Sequence, residues 1–377
     1  MPLTLTAIRR RAQDLGFNFC GVTPAEPSPT LAAYLRWIQQ GMQGDMRYMA
    51  RTDRVRRRRD LREILPKAKS LILVGLDYYA RYAEDEVLED PARGRIAAYA
   101  WGLDYHRVLE LRLEQFAEWL AEEAGREIAQ KVYVDTGAIL ERSHAQQAGM
   151  GFIGKNTMLI HPRRGSYFFI GEILSSLEFD DYDEPHRESM CGTCTRCLGA
   201  CPTDAFPAPF VLDSRLCISY HTIENKGWID RDLRGQFGNW IFGCDICQDV
   251  CPFQRFAEET DEVAFLPFDL DRVAPKLTDI LMSNDDTFRA MFRRTPVERI
   301  KRERLVRNAC VAAGNWRNEV AIPHLIQLLY DESALVRGHA AWALWRTMEL
   351  DSAKLLTDLH RREDDARVRG EVEALLG

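Results

Sequence analysis

Eight of the ten cysteines lie between residues 191 and 251, and their spacing constrains this chain more than any other feature. The first run reads C-x2-C-x2-C-x3-C-P from Cys191 to Pro202, the spacing found in bacterial ferredoxins. In that pattern three thiolates bind one 4Fe-4S cubane and the fourth thiolate binds a second cubane. Two cubanes need eight thiolates, and this stretch supplies eight.

The second run, from Cys244 to Pro252, is incomplete, because Ile241 stands where its first cysteine would be, and Cys217 is the cysteine that can replace it. The spacing therefore predicts one cluster held by Cys191, Cys194, Cys197 and Cys251, and another held by Cys201, Cys217, Cys244 and Cys247. The alternatives are a pair of zinc knuckles, since C-x2-C pairs also bind Zn²⁺, and a disulfide framework. The triple-cysteine run and the two Cys-Pro endings favour iron–sulfur clusters, and hence an electron relay.

The composition fits a globular chain of two or three domains, with 377 residues of which 46% are hydrophobic. Residues 1–17 contain Arg9, Arg10 and Arg11 within a helical pattern and no uninterrupted apolar stretch, so we expect neither a signal peptide nor a transmembrane span. A cytoplasmic location is expected, and the cysteine-rich block fits a reducing compartment. Cys20 and Cys310 lie in apolar surroundings and are predicted to be small buried side chains.

Residues 1 to about 185 alternate helical and strand patterns, which predicts an α/β domain. Helices are predicted at 5–15, 31–40 and 105–124, and strands at 70–79, 131–134 and 166–170. The continuous apolar run at 70–79 is typical of a strand buried on both faces. Ligands are expected at the strand ends, as in parallel sheets.

Three C-terminal segments, which begin at Leu305, Leu335 and Arg367, share a Val-Arg pair followed by apolar residues at helical spacing. Their separation of about 30 residues indicates HEAT-like repeats, although an ordinary helical bundle is the alternative. Stacked helix pairs present an extended surface, so this region is expected to bind a partner.

Two segments are strongly basic although the net charge is −7. Residues 51–60 contain six arginines against two aspartates, and residues 289–307 contain eight basic residues against two acidic ones. Such islands can contact phosphates, and a solvated face is the other interpretation.

The stretch from Asp135 to Thr157 combines residue types suited to a ligand site. Asp135 follows a predicted strand, three glycines at 149, 151 and 154 let a bulky ligand approach the backbone, and Lys155, Asn156 and Thr157 offer a cation and hydrogen-bond donors. The glycine spacing fits neither the dinucleotide fingerprint nor the P-loop, which argues against a nucleotide site. Considered alone, Asp135 would be a helix N-cap or a turn residue.

The whole chain resembles the epoxyqueuosine reductase family, on this stretch and on residues 99–106, 165–174, 217–227 and 243–248. The resemblance implies an α/β cobalamin-binding catalytic domain (1–180), a ferredoxin-like domain with two 4Fe-4S clusters (181–260) and an α-helical HEAT-like repeat domain that binds tRNA (261–377). It implies a two-electron reductive removal of the epoxide oxygen of epoxyqueuosine, at the tRNA wobble position, with cobalamin and the two clusters as cofactors.

The same resemblance implies roles for individual residues. Asp135 matches the family's proton donor, and a general acid at neutral pH predicts a cleft with little water around its carboxyl. The implied cobalamin contacts are Ser219 and Lys226, then Lys155, Asn156, Thr157 and Arg58, together with Asp135 itself. Ordinary loop chemistry is the alternative for Ser219 and Lys226.

Two departures concern the cofactor. Asp104-Tyr-His106 is followed by Arg-Val-Leu and does not complete D-x-H-x-x-G, so no histidine is expected as the lower cobalt ligand. Ala97, Ala98 and Ala100 stand where some family members have a cysteine near the cofactor, so no thiol contact is expected there.

The implied partners are a tRNA anticodon arm that carries epoxyqueuosine and an external electron donor, with no membrane and action as a monomer. Arg289 to Arg307 and the first repeat helix are predicted to grip the anticodon stem while the wobble base is splayed out. Three other functions stay open: a dehalogenase-like corrinoid reductase acting on a small molecule, a non-enzymatic electron-transfer or scaffold protein, and a zinc-based RNA-binding protein.

Overall fold

The computed structural model describes residues 3–186 and 189–377. The strands are β1 (Phe19–Pro24), β2 (Ser70–Asp77), β3 (Arg95–Ile96), β4 (Gln130–Tyr133), β5 (Phe152–Ile153), β6 (Leu159–Ile160), β7 (Phe168–Ser175) and β8 (Trp240–Phe242). The α-helices are α1 (Leu5–Asp14), α2 (Leu31–Gln39), α3 (Arg47–Ala50), α4 (Thr52–Arg59), α5 (Asp85–Leu88), α6 (Tyr105–Ala124), α7 (Glu141–Gln147), α8 (Arg196–Ala200), α9 (Ile218–Ile223), α10 (Arg231–Arg234), α11 (Ile246–Asp249), α12 (Leu277–Leu281), α13 (Asp285–Phe292), α14 (Lys301–Trp316), α15 (Ile322–Leu328), α16 (Ala334–Met348), α17 (Ala353–Arg362) and α18 (Ala366–Leu376).

The chain folds into two compact units, each assembled from three segments. The first unit contains the residues up to Ala80, Asp104–Arg215 and Ile246–Phe265. The second unit contains Arg81–Leu103, Leu216–Asp245 and Leu266–Gly377. The division into three domains along the sequence stays a prediction beside these two units.

A four-stranded sheet in the order β1-β2-β7-β4 is the framework of the first unit. Every neighbouring pair in this sheet is antiparallel. All residues of β2 are buried, as its apolar run predicts for a central strand covered on both faces. Because the strands are antiparallel, the strand-end rule for parallel sheets does not apply to this sheet.

The long helix α6 covers one face of the sheet. Its residues Leu109, Leu113, Phe116 and Leu120 recur at helical spacing on one side and are fully buried. Gly171 in β7 permits this close packing, because a methyl group there would lie 2.7 Å from the Leu113 side chain. The opposite face of the sheet packs against α7 in a second apolar cluster.

The second unit contains the short parallel pair β3–β8 and the helices α12 to α18. The three Val-Arg segments lie in α14, α16 and α18, and α16 packs against both of the others. A methyl group on Gly314 of α14 would lie 2.5 Å from the ring of Trp342, so glycine allows these two helices to approach closely. The stacking supports the repeat interpretation over an ordinary bundle.

The two cysteines outside the cluster motifs, Cys20 and Cys310, were both expected to be buried. Cys310 is buried in α14, as predicted, whereas Cys20 in β1 is half-buried.

Within residues 3–186 and 189–377, no helix combines the length and the apolar character that a bilayer-crossing span requires.

Candidate functional site

The four cysteines assigned to the first cluster all lie in the first unit and are half-buried. Packing of α8 against α11 brings the two cysteine runs together. Burial raises the pKa of the Cys197 thiol, and the neighbouring sulfurs of Cys191, Cys251 and Cys194 raise it further. A set of sulfurs close enough to influence one another is the arrangement that a cubane requires.

Backbone amides around these sulfurs fit a cluster site. The amide of Lys155 donates to the Cys191 sulfur at 3.5 Å, and the amide of Ala205 donates to the Cys201 sulfur at 3.3 Å. Hydrogen bonds to the sulfurs are one of the means by which proteins set the potential of an iron–sulfur cluster. Among the described residues, no three His, Cys, Asp or Glu side chains are grouped around a single-ion position. A cubane does not require such a grouping, because each thiolate binds a different iron atom of the cluster.

The cysteines assigned to the second cluster divide between the units. Cys201 and Cys247 belong to the first unit, and Cys217 and Cys244 belong to the second. Cys217 is the N-cap of α9, and Cys244 follows β8 through Gly243, whose amide donates to the Thr222 hydroxyl at 2.9 Å. All four cysteines are half-buried, and this ligand set stays a prediction.

The side chains of Lys155 and Asn156 contact the cysteine loops in the structure, and their contact with cobalamin stays a prediction. The Lys155 ammonium donates to the carbonyls of Gly192 at 2.8 Å and Cys194 at 2.9 Å. The Asn156 amide donates to the carbonyl of Cys247 at 3.0 Å. These two neighbouring side chains therefore brace both cysteine runs, which sequence reasoning missed because the runs are distant in the chain.

Thr157, the third residue of that group, has a left-handed backbone with φ +66°. Its carbonyl accepts a 2.5 Å hydrogen bond from Arg142 of α7. The hydroxyl of Thr157 lies 3.5 Å from the same guanidinium. These bonds hold the turn in shape, and a cobalamin contact at Thr157 stays a prediction.

Arg58, a further cobalamin candidate, is buried at the end of α4. Its guanidinium lies over the ring of Tyr34 at 5.2 Å and donates to the Tyr34 hydroxyl at 3.4 Å. The Nε atom of Arg58 has no hydrogen-bond partner within the described part of the chain. A buried donor without a partner is available to a ligand, which leaves Arg58 as a candidate.

Ser219 and Lys226 lie in the second unit, at and after α9. Ser219 is half-buried and Lys226 is exposed. The loop that carries Lys226 is rigidly held: the Asn225 side chain accepts from the Gly227 amide at 2.8 Å and donates to the Trp228 carbonyl at 3.1 Å. A hydroxyl and an ammonium on fixed backbone are donors suited to the amide-rich edge of a corrin.

Asp135, the predicted proton donor, lies just after β4 with a left-handed backbone of φ +59°. Its carboxylate accepts a 2.9 Å hydrogen bond from the hydroxyl of Tyr105, and His106 Nε2 lies 3.9 Å away. Stacking of Tyr105 on Phe169, with ring centroids 4.1 Å apart, fixes the donor. The Asp135 side chain is 67% exposed. The prediction of a cleft with little water around this carboxyl is therefore wrong.

Two other carboxyls of this region, the buried Glu172 and the half-buried Glu141, were not selected by sequence reasoning. Burial raises the pKa of Glu172 well above its ordinary value, and the charges of Glu141 and Asp135 raise it further. Burial, followed by the charge of Asp135, raises the pKa of Glu141 to about 7. The available signal was a lone glutamate within the apolar run 168–174.

The arginine islands are partly structural. In the first, Arg54 donates to the carbonyl of Thr136 at 3.0 Å, beside Asp135. In the second, Arg307 is fully buried and Arg304 donates to the carbonyl of Ile223 at 2.6 Å. Arg302 pairs with Asp331 at 2.6 Å.

The prediction that the whole segment 289–307 grips a stem is therefore wrong for the fully buried Arg307, and it stays a prediction for the half-buried Arg302 and Arg304. Its exposed cations are Arg289, Arg293, Arg294, Arg299 and Lys301.

Family profiles match three parts of the chain. The profile "Epoxyqueuosine reductase QueG, DUF1730" matches residues 58–136, "4Fe-4S double cluster binding domain" matches residues 190–254, and "HEAT repeats" matches residues 301–377. The last two confirm the predicted two-cluster and repeat folds.

Known proteins match nearly the whole length. The chain is 40% identical over 341 residues to an epoxyqueuosine reductase of Xanthomonas campestris, which covers 89% of this chain and 94% of the relative. A crystal structure of epoxyqueuosine reductase with an epoxyqueuosine-modified tRNA-Tyr stem loop matches with a TM-score of 0.89 at 30% identity, over 98% of this chain and 97% of that one. A Bacillus subtilis epoxyqueuosine reductase whose catalytic aspartate loop is swung out of the active site matches with the same TM-score and coverage, also at 30% identity.

Proposed function

Because this chain belongs to the epoxyqueuosine reductase family, we propose that it removes the epoxide oxygen of epoxyqueuosine in tRNA by a two-electron reduction that yields queuosine and water. The observation that carries the proposal is the 40% identity over 94% of the Xanthomonas relative, combined with a structural match over 98% of the chain. The reaction consumes two electrons and two protons.

Two 4Fe-4S clusters and cobalamin are the cofactors. The thiolates described above would hold the clusters, and Ser219, Lys226 and Arg58 are the proposed cobalamin contacts. When bound, cobalamin supplies a strongly reducing metal centre for cleavage of the carbon–oxygen bond. The chain's own contribution is to hold the cofactors, orient the modified base and deliver protons.

Asp135 is the proposed proton donor. Its carboxylate is accessible to a ligand and is oriented by the Tyr105 hydroxyl. The turn that carries Asp135 is held by the bond from Arg54 to the Thr136 carbonyl. The loop of the Bacillus subtilis relative that is swung out of its active site suggests that this exposed turn moves during the reaction cycle.

The tRNA partner is proposed to contact the exposed cations of the second unit. Arg289, Arg293 and Arg294 lie at and after the end of α13 with exposed side chains. Such side chains can reach phosphates without disturbing the fold. Arg302 of α14 instead holds the fold, since it donates to the carbonyl of Ser283 and pairs with Asp331.

An external one-electron protein carrier is proposed to dock beside the first cluster. An open groove of about 680 Å³ is lined by Arg196, Asp249, the cluster cysteine Cys251 and Arg255. Both arginines are exposed, while Asp249 accepts a hydrogen bond from the hydroxyl of Tyr167. A carrier with an acidic face complements this groove. We propose that the protein acts as a monomer in the cytoplasm.

The decisive experiment is anaerobic reconstitution with iron, sulfide and cobalamin, followed by turnover on tRNA that carries epoxyqueuosine. Mass analysis of the tRNA nucleosides should show the loss of one oxygen, with no turnover of a halogenated phenol by the same preparation. Intact epoxyqueuosine after incubation with a fully loaded, reduced protein would contradict the proposal.

A further inference from the structure

We propose that the buried Glu172 and the half-buried Glu141 form a proton store behind Asp135, and that this pair supplies the second proton of the reaction through the Asp135 carboxyl. The inference rests on the proposed function, since it requires epoxide reduction. That reaction breaks both carbon–oxygen bonds of the epoxide, forms one carbon–carbon double bond and releases the oxygen as water. The two electrons come from the external one-electron carrier, and one carboxyl holds one proton at a time.

Glu172 occupies the middle of β7, where an apolar residue would be expected. Its sheet partners are Leu73 on β2 and Tyr133 on β4. The residue is 1% exposed, and neither carboxyl oxygen has a hydrogen-bond partner among the residues that the structure describes. A buried carboxyl without a partner is costly, so its place in this core calls for a role beyond packing.

The turn that carries Asp135 lies directly against this carboxyl. A methyl group on Gly137, two residues after Asp135, would lie 3.2 Å from Glu172 Oε1. Glycine therefore allows the turn to approach the buried acid. The approach brings the buried acid close to the turn of an aspartate whose own side chain is exposed.

Glu141 is the second member of the store. It is the first residue of α7, and the same loop joins it to Asp135. The negative charges of Glu141 and Asp135 both act on Glu172, and that of Asp135 acts on Glu141, so the three carboxyls lie within electrostatic reach of one another. Mutual repulsion favours shared protons over three separate negative charges.

The charged groups around the store come from two helices. Arg58 of α4 and Arg142 of α7 stabilise the ionised form of Glu141. Arg57 and Arg54 of α4 act on the Tyr133 phenol, which also faces the charge of Glu172. β2 contributes the apolar Leu73 on the same face. The remaining titratable neighbours, Tyr105 and His106 of α6, contact Asp135.

The Glu172–Glu141 pair therefore delivers protons to Asp135 from the side of the turn that faces the protein interior. A substrate base placed over the exposed side of Asp135 excludes bulk water there. Asp135 gives its proton to the reacting oxygen and recovers one from the Glu172–Glu141 pair. Solvent then returns a proton to Glu141, which is half-buried, between turnovers.

The test compares Glu172→Gln and Glu141→Gln with wild type and with Glu110→Gln, an exposed glutamate of α6, in single turnovers of the reconstituted holoenzyme from pH 6 to pH 8. We expect each store variant to form queuosine about tenfold more slowly at pH 8 and within about twofold of wild type at pH 6, a smaller loss than removal of a direct general acid causes. A purely structural role would lower the rate equally at every pH.

A second readout is independent of turnover. Infrared spectra of the protein should contain the band of protonated carboxyls at pH 7, and this band should lose intensity in Glu172→Gln and be unchanged in Glu110→Gln. Wild-type rates at all pH values in both store variants, or an unchanged band in Glu172→Gln, would overturn the proton store while wild-type turnover still supports the proposed function. Absence of queuosine from the wild-type holoenzyme would instead defeat the function itself.

Discussion

Nη1 of Arg307 in α14 donates a 2.6 Å hydrogen bond to the carbonyl oxygen of Gly227. The same guanidinium binds the carbonyls of Asn225 at 2.8 Å and His221 at 2.6 Å. The first repeat helix thus holds the loop that carries Lys226, a proposed cofactor contact. A residue that sequence inspection assigns to a nucleic-acid surface therefore organises the interior of the second unit.

Replacement of Arg307 by Met should destabilise this loop by about 3 kcal/mol, because buried carbonyls lose their charged donor. Amide hydrogen exchange at residues 225–228 should accelerate accordingly. Arg293→Met, a change at an exposed arginine, serves as the control and should leave the exchange unchanged. Equal exchange in both variants would show that the loop holds itself without Arg307.

Replacement of Arg289, Arg293 and Arg294 by Ser should weaken tRNA binding and lower the slope of log K against log salt by about two to three, one phosphate contact per side chain. The control is Arg361→Ser, an exposed arginine of α17. Arg302→Ser and Arg304→Ser should instead lower stability, since both side chains bind groups of the fold. An unchanged affinity and salt slope in the triple variant would place the tRNA footprint elsewhere.

Replacement of Cys197 by Ala should lower the iron content of the reconstituted protein from about eight atoms to about four, because one cubane loses a ligand. Cys217→Ala should have the same effect if this residue completes the second cluster. Cys310→Ala is the matched control, since its thiol is buried in α14. Full iron content in Cys217→Ala would refute the assignment of that cluster.

The contribution of Glu141 to stability should fall by about 2 kcal/mol as the pH rises from about 5 to about 8, and Glu141→Gln should remove this contribution. The sign follows from the raised pKa of about 7 in the folded state against 4.5 as the ordinary value. The stabilising contribution of the protonated acid is complete below the unfolded-state pKa and is lost as the pH rises through the folded-state pKa. Urea unfolding over this pH range measures the effect, with Glu110→Gln as the control. If the free energy of unfolding depended on pH in the same way in Glu141→Gln and in wild type, this prediction would be contradicted.

Charge reversal of the groove, Arg196→Glu with Arg255→Glu, should slow reduction by an acidic protein carrier such as a flavodoxin by about tenfold at low salt, because electrostatic attraction raises association rates. Reduction by dithionite should be unaffected, since that small reductant needs no docking surface. Arg126→Glu, an exposed arginine of the first unit, is the control. The groove would be excluded as the docking site if both double and control variants accepted electrons from the carrier at equal rates.

Several features could be predicted because their signals are local. The spacing of the cysteines identifies cluster ligands, since a cubane is bound by short loops with few residues between thiolates. The apolar run predicted β2, and the helical periodicity of apolar residues predicted α6 and α14, because these signals also lie within short segments. The resemblance of its motifs to those of the family also predicted the reaction and the role of Asp135 as proton donor.

Other features were decided by contacts between distant segments. An arginine looks the same in a sequence whether it is solvated, as Arg293 is, or buried, as Arg307 is. The direction of the Lys155 side chain depended on where Gly192 and Cys194 came to lie. The exposure of Asp135 was likewise set by the packing around its turn.

The sequence by itself determined the cluster ligands proposed here, the repeat helices and the family, because each is encoded in the type and spacing of neighbouring residues. Only the tertiary structure decided which charges are buried and which polar groups lack partners. The carboxyl of Glu172, which has no hydrogen-bond partner in the described part of the chain, shows why. Its environment is made by β2, by β4 and by the turn at Gly137, and burial changes the free energy of a charge more than any local sequence pattern does.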